Sequence, residues 1–184
     1  MNMLRLEHLL LFTNSLDYFI ILCYNLYGDI MKKRPYIIAS IFFIIDLISK
    51  QIITHTLDIY ESITLIPNFF KFTHVNNLGA AWSILENQRI LLLIITLIVL
   101  FFINKYINKE DLNNFESFCY GMIIGGIVGN LFDRLIYGYV IDFLDFNIFG
   151  YNYPVFNLAD SFIVIGIILL IIGSIRKEYL CKKK

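Results

Sequence analysis

Long apolar stretches alternate with short polar segments along most of this chain. Four of the stretches approach the ~20 residues that a helix needs to cross the hydrocarbon layer of a membrane. They cover residues 36–53, 88–107, 118–137 and 156–175. The second stretch is apolar on all sides of a helix, as a lipid-facing span requires. The pattern predicts an all-α membrane protein with four transmembrane helices.

A different pattern lies between the first two predicted helices. Two β-prone runs, 59–66 and 69–75, flank the turn-forming pair Pro67-Asn68, which predicts a small extracytoplasmic β-hairpin. A loop that contains a glycine and the single tryptophan follows it. We interpret the segment from Gly138 to Val155 as a second loop, rich in aromatic residues and asparagine. Most of its aromatic side chains are interpreted as anchors at the membrane–water boundary.

Basic residues are distributed unequally between the two sides of these helices. Ten of them precede the first helix, join the second to the third, or follow the fourth. Because Lys and Arg concentrate on cytoplasmic segments, both termini are predicted to be cytoplasmic and the two loops extracytoplasmic. The four basic residues assigned to the opposite side are Lys50, Lys71, Arg89 and Arg134.

The first 30 residues do not fit the four-helix pattern. Their two apolar runs are too short to span a bilayer, and no small-residue cleavage pattern follows them. We interpret residues 1–30 as a dispensable N-terminal extension. Residues 31–184 are then the membrane domain, with Met31 as its natural start.

Composition supports the membrane class and excludes others. Hydrophobic residues make up 58% of the 184 residues and charged residues 16%, against about 45–50% and 25% in soluble domains. The formal net charge is zero, so no global field would attract nucleic acid. The three cysteines and three histidines form neither a CxxC pair nor a Cys/His cluster. No metal, cofactor or obligate protein partner is predicted.

Ionisable residues inside an apolar span are candidates for function, because an isolated charge is costly there. The helical rise places Asp160 about 24 Å from the cytoplasmic end of its helix, near the outer boundary of the membrane. Spacings of three or four residues put certain polar side chains on one helix face. These pairs are Asp46 with Lys50, Asn130 with Arg134, and Asn157 with Asp160.

Each of these features also has a structural interpretation. Asp46 and Lys50 can form an intrahelical ion pair, and Asp133 can be a charge partner of its neighbour rather than an acid catalyst. Asn157 can be the N-cap of the fourth helix, with Asp160 in its first turn. A ridge of small residues on the third helix is interpreted as a packing surface. It consists of Gly121, Gly125 and Gly129, with Gly126 beside them.

Two neighbouring carboxyls at the outer boundary would suit peptide hydrolysis. Close aspartates share one proton, so the ionised one activates a water and the protonated one hydrogen-bonds the scissile carbonyl. Serine or cysteine catalysis is disfavoured because no histidine lies in a span. Position nominates Asp160 as one member of the pair. Four residues remain open as its partner: Asp46, Asp133, Asp142 and Asp145.

Five sequence blocks, taken together, resemble a known family. They begin at Asp46, Asn77, Gly125, Val140 and Phe156, and they read DLISK, NLGAAWS, GGIVGNLFDR, VIDF and FNLADS. From about Met31 to the C-terminus the chain resembles bacterial lipoprotein signal peptidase, also called signal peptidase II. Trp82 departs from the pattern, because many members have Phe there.

The resemblance implies an aspartic endopeptidase of the bacterial cytoplasmic membrane, with its active site near the outer leaflet. Its partners would be membrane lipid and diacylglyceryl-prolipoproteins, cut just before the lipidated cysteine. The implied catalytic residues are Asp142 and Asp160. Asp133, Gly125 and Gly129 keep the structural interpretation given above. A small β-cradle and a loop over the site are implied too. Substrate-binding or supporting roles are implied for Asp46, Lys50, Asn77, Gly79, Asn130, Arg134 and Asn157.

Two other functions are compatible with parts of the pattern. A small proton- or cation-coupled transporter could use the intramembrane residues Asp46 and Asp160. A non-catalytic assembly factor could use Asn130 and Asn157 to hydrogen-bond neighbouring helices. Against a transporter, the polar residues cluster on one side of the membrane and no inverted repeat is visible.

Overall fold

The structure, a computed structural model, describes residues 32–79 and 85–182, with side chains up to residue 176. The chain divides into two compact units, Met1–Arg34 and Pro35–Lys184. The described part of the first unit is a helical turn at residues 32–34, and the following paragraphs concern the second. The predicted extension, residues 1–30, and Trp82 lie outside the described residues.

Four helices of the described chain are long and apolar enough to cross a membrane. Helix α1 covers Lys32–Thr56, α2 Arg89–Lys109, α3 Asn114–Ile136 and α4 Leu158–Lys182. They confirm the four predicted spans. Each extends beyond its predicted range at one end or at both, because polar residues that an apolar window leaves out continue the helix.

Helix α3 contacts each of the other three helices. A Cβ atom at Gly125 would lie 2.7 Å from the carbonyl oxygen of Ala39 in α1. A Cβ atom at Gly126 would collide with the carbonyl oxygen of Ala159 in α4. The predicted glycine ridge is therefore a packing surface that allows α1 and α4 to approach α3 closely.

The outward faces of α2 and α4 are apolar. Exposed large side chains on these helices include Ile90, Leu97, Phe101 and Ile171. Within α2, Leu92 and Ile107 are buried. A continuous apolar surface of this kind is stable against lipid rather than water, in agreement with the prediction that α2 faces lipid.

An antiparallel sheet follows the order β1-β2-β3-β4. Strands β1 (Ser62–Ile66) and β2 (Phe70–Asn77) form the predicted hairpin. Asn68 in its turn has a φ of +59°, a left-handed conformation that asparagine adopts more readily than most residues. Strand β3 (Val140–Ile148) pairs with β2, and β4 (Tyr151–Asn152) pairs with β3.

The interpretation of residues 138–155 as a loop is wrong, because β3 and β4 lie within this segment. Aspartate is depleted in strands, and Asp142 and Asp145 interrupt the apolar pattern of β3. Both side chains are nevertheless buried and hydrogen-bonded. Tertiary partners thus compensate for a residue type that disfavours strands.

A buried apolar cluster attaches the sheet to the helices. Ile53 near the end of α1, Leu57 just after it and Phe143 of β3 form its centre. Leu158, the first residue of α4, packs against it. The cluster therefore holds β3 beside the end of α1 and the beginning of α4.

Candidate active site

Buried and half-buried polar side chains from five elements converge where β3 meets the beginning of α4. Hydrogen bonds and ion pairs connect them. All belong to the set predicted from the sequence, and the structure brings them together. They are Asp46 and Lys50 of α1, Asn77 of β2, Asn130, Asp133 and Arg134 of α3, Asp142 of β3, and Asn157 and Asp160 at the start of α4.

Asn157 connects Asp142 to Asp160. Its Nδ2 donates to Asp142 Oδ1 at 2.6 Å, and its Oδ1 accepts from the backbone N–H of Asp160 at 2.9 Å. The backbone N–H of Asn157 donates to Asp160 Oδ2 at 3.3 Å. The last two bonds form a capping box at the start of α4. The N-cap role of Asn157 and its place in the site therefore do not exclude one another.

Asn130 donates from the opposite side of Asp160. Its Nδ2 lies 2.7 Å from Asp160 Oδ1. Its Oδ1 accepts from Lys50 Nζ and from Asn157 Nδ2, both at 3.1 Å. Because an ammonium group can only donate, Lys50 determines which end of the Asn130 amide faces Asp160.

Asn77 donates to the second oxygen of Asp142. Its Nδ2 lies 2.7 Å from Asp142 Oδ2, and its Oδ1 accepts from the backbone N–H of Gly79 at 2.9 Å. Arg134 Nη2 donates to the Gly79 carbonyl oxygen at 3.0 Å. Gly79 and Arg134 thus hold the backbone just after β2 and orient Asn77 toward Asp142.

Lys50 is fully buried between two carboxylates. Its Nζ lies 2.7 Å from Asp46 Oδ2 and 2.8 Å from Asp133 Oδ2. The predicted pair of Asp46 and Lys50 is present, but Asp133 pairs with Lys50 and not with its neighbour in sequence. Adjacent residues of a helix point in different directions. The two carboxylate partners allow the ammonium group of Lys50 to be buried.

The four acids that the sequence leaves open as partners of Asp160 differ in their own hydrogen-bond and ion-pair partners. Asp46 and Asp133 pair with Lys50. Asp145 accepts from Thr73 Oγ1 at 2.7 Å and pairs with Lys71 Nζ at 3.2 Å. Asp142 shares Asn157 with Asp160.

The electrostatic surroundings of Asp142 favour its protonated form. Burial, together with the negative charge of Asp160, raises the pKa of Asp142 to about 7, although hydrogen bonds from Asn77 and Asn157 act in the opposite direction. A carboxyl with this pKa retains its proton for part of the time at neutral pH. Asp142 lies in β3, outside the membrane-spanning helices.

Two hydrogen bonds of the site involve backbone N–H groups and could not be predicted from residue type. Asp46 Oδ1 accepts from the N–H of Ala159 at 2.9 Å, and Asp133 Oδ2 accepts from the N–H of Ile141 at 3.2 Å. Within residues 32–79 and 85–176, no group of three or more His, Cys, Asp or Glu side chains is arranged to hold a metal ion.

Comparison with known proteins identifies the family. The family model described as "Signal peptidase (SPase) II" matches residues 38–176. The chain belongs to the signal peptidase II family. A lipoprotein signal peptidase of Staphylococcus haemolyticus is 40% identical over 152 residues, which cover 79% of this chain and 96% of that protein. One of Staphylococcus aureus is 40% identical over 160 residues, covering 84% and 98%.

Solved structures agree with this membership. A bacterial membrane enzyme solved by the in meso method at 2.3 Å resolution superposes with a TM-score of 0.74 at 38% identity, covering 82% of this chain and 92% of that one. A second, at 1.9 Å resolution, has a TM-score of 0.68 at 40% identity, covering 76% and 90%. The predicted resemblance is confirmed: this member of the signal peptidase II family is a membrane peptidase of lipoprotein processing.

Proposed function

We propose that this signal peptidase II family member is an aspartic endopeptidase whose catalytic pair is Asp142 and Asp160. Its substrate is a prolipoprotein, cut just before a cysteine that carries a diacylglyceryl group. The observation that carries the proposal is the Asn157 side chain, which donates to the Asp142 carboxyl and accepts from the backbone N–H of Asp160. The names of the relatives, lipoprotein signal peptidases, support the substrate class.

The hydrolysis needs one water and one proton shared by the pair. The ionised carboxylate takes a proton from the water, whose oxygen attacks the scissile carbonyl carbon. The protonated carboxyl hydrogen-bonds the carbonyl oxygen and donates its proton to it, which gives the tetrahedral gem-diol. When the C–N bond breaks, the first carboxyl protonates the leaving amine and a gem-diol hydroxyl returns a proton to the second carboxylate. The proton count of the pair is the same before and after.

The three asparagines hold the carboxyls in defined orientations. Asn77 and Asn157 donate to the two oxygens of Asp142, and Asn130 donates to Asp160. Hydrogen bonds of this kind stabilise the ionised form of a carboxyl against its desolvation. The pair can therefore hold a negative charge in a buried site and still accept a proton from water.

The pair would lie at the extracytoplasmic boundary, with both chain termini in the cytoplasm. The ten basic residues of the opposite side support this orientation, as does the position of Asp160 in the first turn of α4. A signal helix would reach the site laterally from the bilayer. Each buried CH₂ of its acyl chains adds about 0.8 kcal/mol of membrane affinity, which concentrates the substrate around the enzyme.

Cleavage by the purified full-length chain tests this proposal. In detergent, a diacylated prolipoprotein is expected to be cut just before the modified cysteine, and EDTA is expected to leave the rate unchanged because carboxyls and water perform every step. Mass spectrometry of both products identifies the cleaved bond. The same precursor without its diacylglyceryl group is the control and should be cut far more slowly. Cleavage at another bond would contradict the proposal.

The pH dependence of kcat/KM should have an alkaline limb near pH 7. Asp142, with a pKa raised to about 7 by burial and by the charge of Asp160, loses its proton as the pH rises through this value. Both carboxyls are then ionised, and none remains to hydrogen-bond the carbonyl. The profile of kcat/KM reports groups of the free enzyme. A rate that stays constant or rises from about pH 6 to 9 would contradict the shared-proton mechanism.

A further inference from the structure

The residues that directly precede the two proposed catalytic aspartates are held by one buried charge cluster. The N–H of Ala159, before Asp160, donates to Asp46 Oδ1 at 2.9 Å. The N–H of Ile141, before Asp142, donates to Asp133 Oδ2 at 3.2 Å. Each acid of the cluster thus holds the backbone of one member of the pair.

Lys50 joins these two acids. Its Nζ forms ion pairs with Asp46 at 2.7 Å and with Asp133 at 2.8 Å, and it donates to Asn130 Oδ1 at 3.1 Å. These three oxygen neighbours of the ammonium group all belong to the site. The path from Ala159 to Ile141 therefore runs through short contacts between fully buried side chains.

We propose that Asp46, Lys50 and Asp133 form a clamp that sets the separation of Asp142 and Asp160. The three are positioning residues, and the inference rests on the proposed function of that pair. Asp142 lies on a strand and Asp160 on a helix, so their spacing depends on contacts between different elements. A displacement of about 1 Å at a reacting group can lower a rate about 100-fold.

A role in stability alone is a weaker account of the clamp. Burying three charges costs more than packing apolar side chains of similar size would. A packing role also gives no reason for both acids to bond the residue directly before an aspartate of the pair. A spacing role explains both contacts, because each fixes one backbone relative to the common ammonium group.

The two acids of the clamp differ in a way that permits a matched experiment. Asp46 uses both oxygens, Oδ1 for Ala159 and Oδ2 for Lys50. Asp133 uses one oxygen, Oδ2, for both Ile141 and Lys50. An asparagine has a single acceptor oxygen. Asp133→Asn can therefore keep both of its contacts, whereas Asp46→Asn must lose one, although each substitution removes one negative charge.

The clamp predicts unequal effects of these two isosteric variants on hydrolysis of a diacylated prolipoprotein. Asp46→Asn is expected to lower kcat about 100-fold, with KM little changed. Asp133→Asn is expected to lower kcat less than about tenfold, the size of one charged hydrogen bond replaced by a neutral one. Size-exclusion elution and the thermal midpoint in detergent give the folded fraction by which kcat is normalised.

Several results would overturn the clamp. Equal losses of kcat would assign the effect to charge rather than to contacts, and a raised KM at normal kcat would assign it to substrate binding. Failure of Asp133→Asn to fold would show that its contacts are not kept. Failure of Asp46→Asn alone to fold would make its contact a requirement of the fold instead of the spacing.

The same preparations separate failure of the clamp from failure of the proposed function. Normal turnover by Asp142→Asn or Asp160→Asn would remove that residue from the catalytic pair. If both of those variants are inactive while Asp46→Asn and Asp133→Asn behave alike, the proposed function stands and the clamp does not.

Discussion

Asp142→Asn and Asp160→Asn are each expected to reduce turnover of a diacylated prolipoprotein by about 10⁴-fold, the upper range for loss of an acid–base group. Each substitution keeps the size of the side chain but removes the carboxyl that exchanges protons. A pair with one amide cannot both take a proton from water and hydrogen-bond the carbonyl with the shared proton. Initial rates with purified protein in detergent, analysed by mass spectrometry, measure the loss.

Asp145→Asn is the matched control for these variants. Asp145 lies on the same strand as Asp142 and is also buried, but its partners are Thr73 and Lys71. Its replacement should leave turnover close to that of the unchanged protein. Normal turnover by Asp142→Asn or Asp160→Asn, with folding confirmed by size-exclusion elution, would rule out the affected residue as a catalytic acid.

The four spans are predictable because length and apolarity are local properties. No tertiary information is needed to see that residues 88–107 can cross a membrane, and α2 (Arg89–Lys109) agrees closely with that range. The hairpin is predictable for a similar reason, since Pro67-Asn68 separates two β-prone runs. Strand β3 is different. Its aspartates belong there because of partners from β2 and α4, which a local pattern does not contain.

Part of the site can likewise be predicted from local sequence, and part cannot. The spacing of three residues predicts that Asn157 and Asp160 share a helix face, and the capping box contains both residues. Asp142 comes from a strand that precedes α4, so residue spacing leaves it equal to three other acids. The resemblance nominates it, and the structure brings it to Asn157. The backbone contacts of Ala159 and Ile141 lie beyond both kinds of inference, because any residue other than proline offers an N–H.

Lys50→Met is expected to lower the free energy of unfolding by about 3–5 kcal/mol, the range for removing one partner of a buried ion pair. Methionine keeps most of the length of the side chain, so the change isolates the charge. Without the ammonium group, Asp46 and Asp133 remain buried without their common cation, and like charges in a desolvated site repel. Thermal or denaturant-induced unfolding in detergent measures the loss, and the yield of folded protein should fall with it.

Lys71→Met supplies the comparison that makes this prediction specific. The Lys71 side chain is 45% exposed and its pair with Asp145 spans 3.2 Å. Because exposed ion pairs contribute only about 0–1 kcal/mol, its loss should change stability little. Equal stability of Lys50→Met and Lys71→Met would mean that burial of the ammonium group contributes nothing to the fold.

Combining Lys50→Met with Asp46→Asn and Asp133→Asn removes all three charges of the clamp. The triple variant should recover part of the stability, since neither acid of the clamp is left as an unpaired carboxylate. Turnover should stay low in that triple variant, because Asn130 has lost the donor that orients its amide toward Asp160.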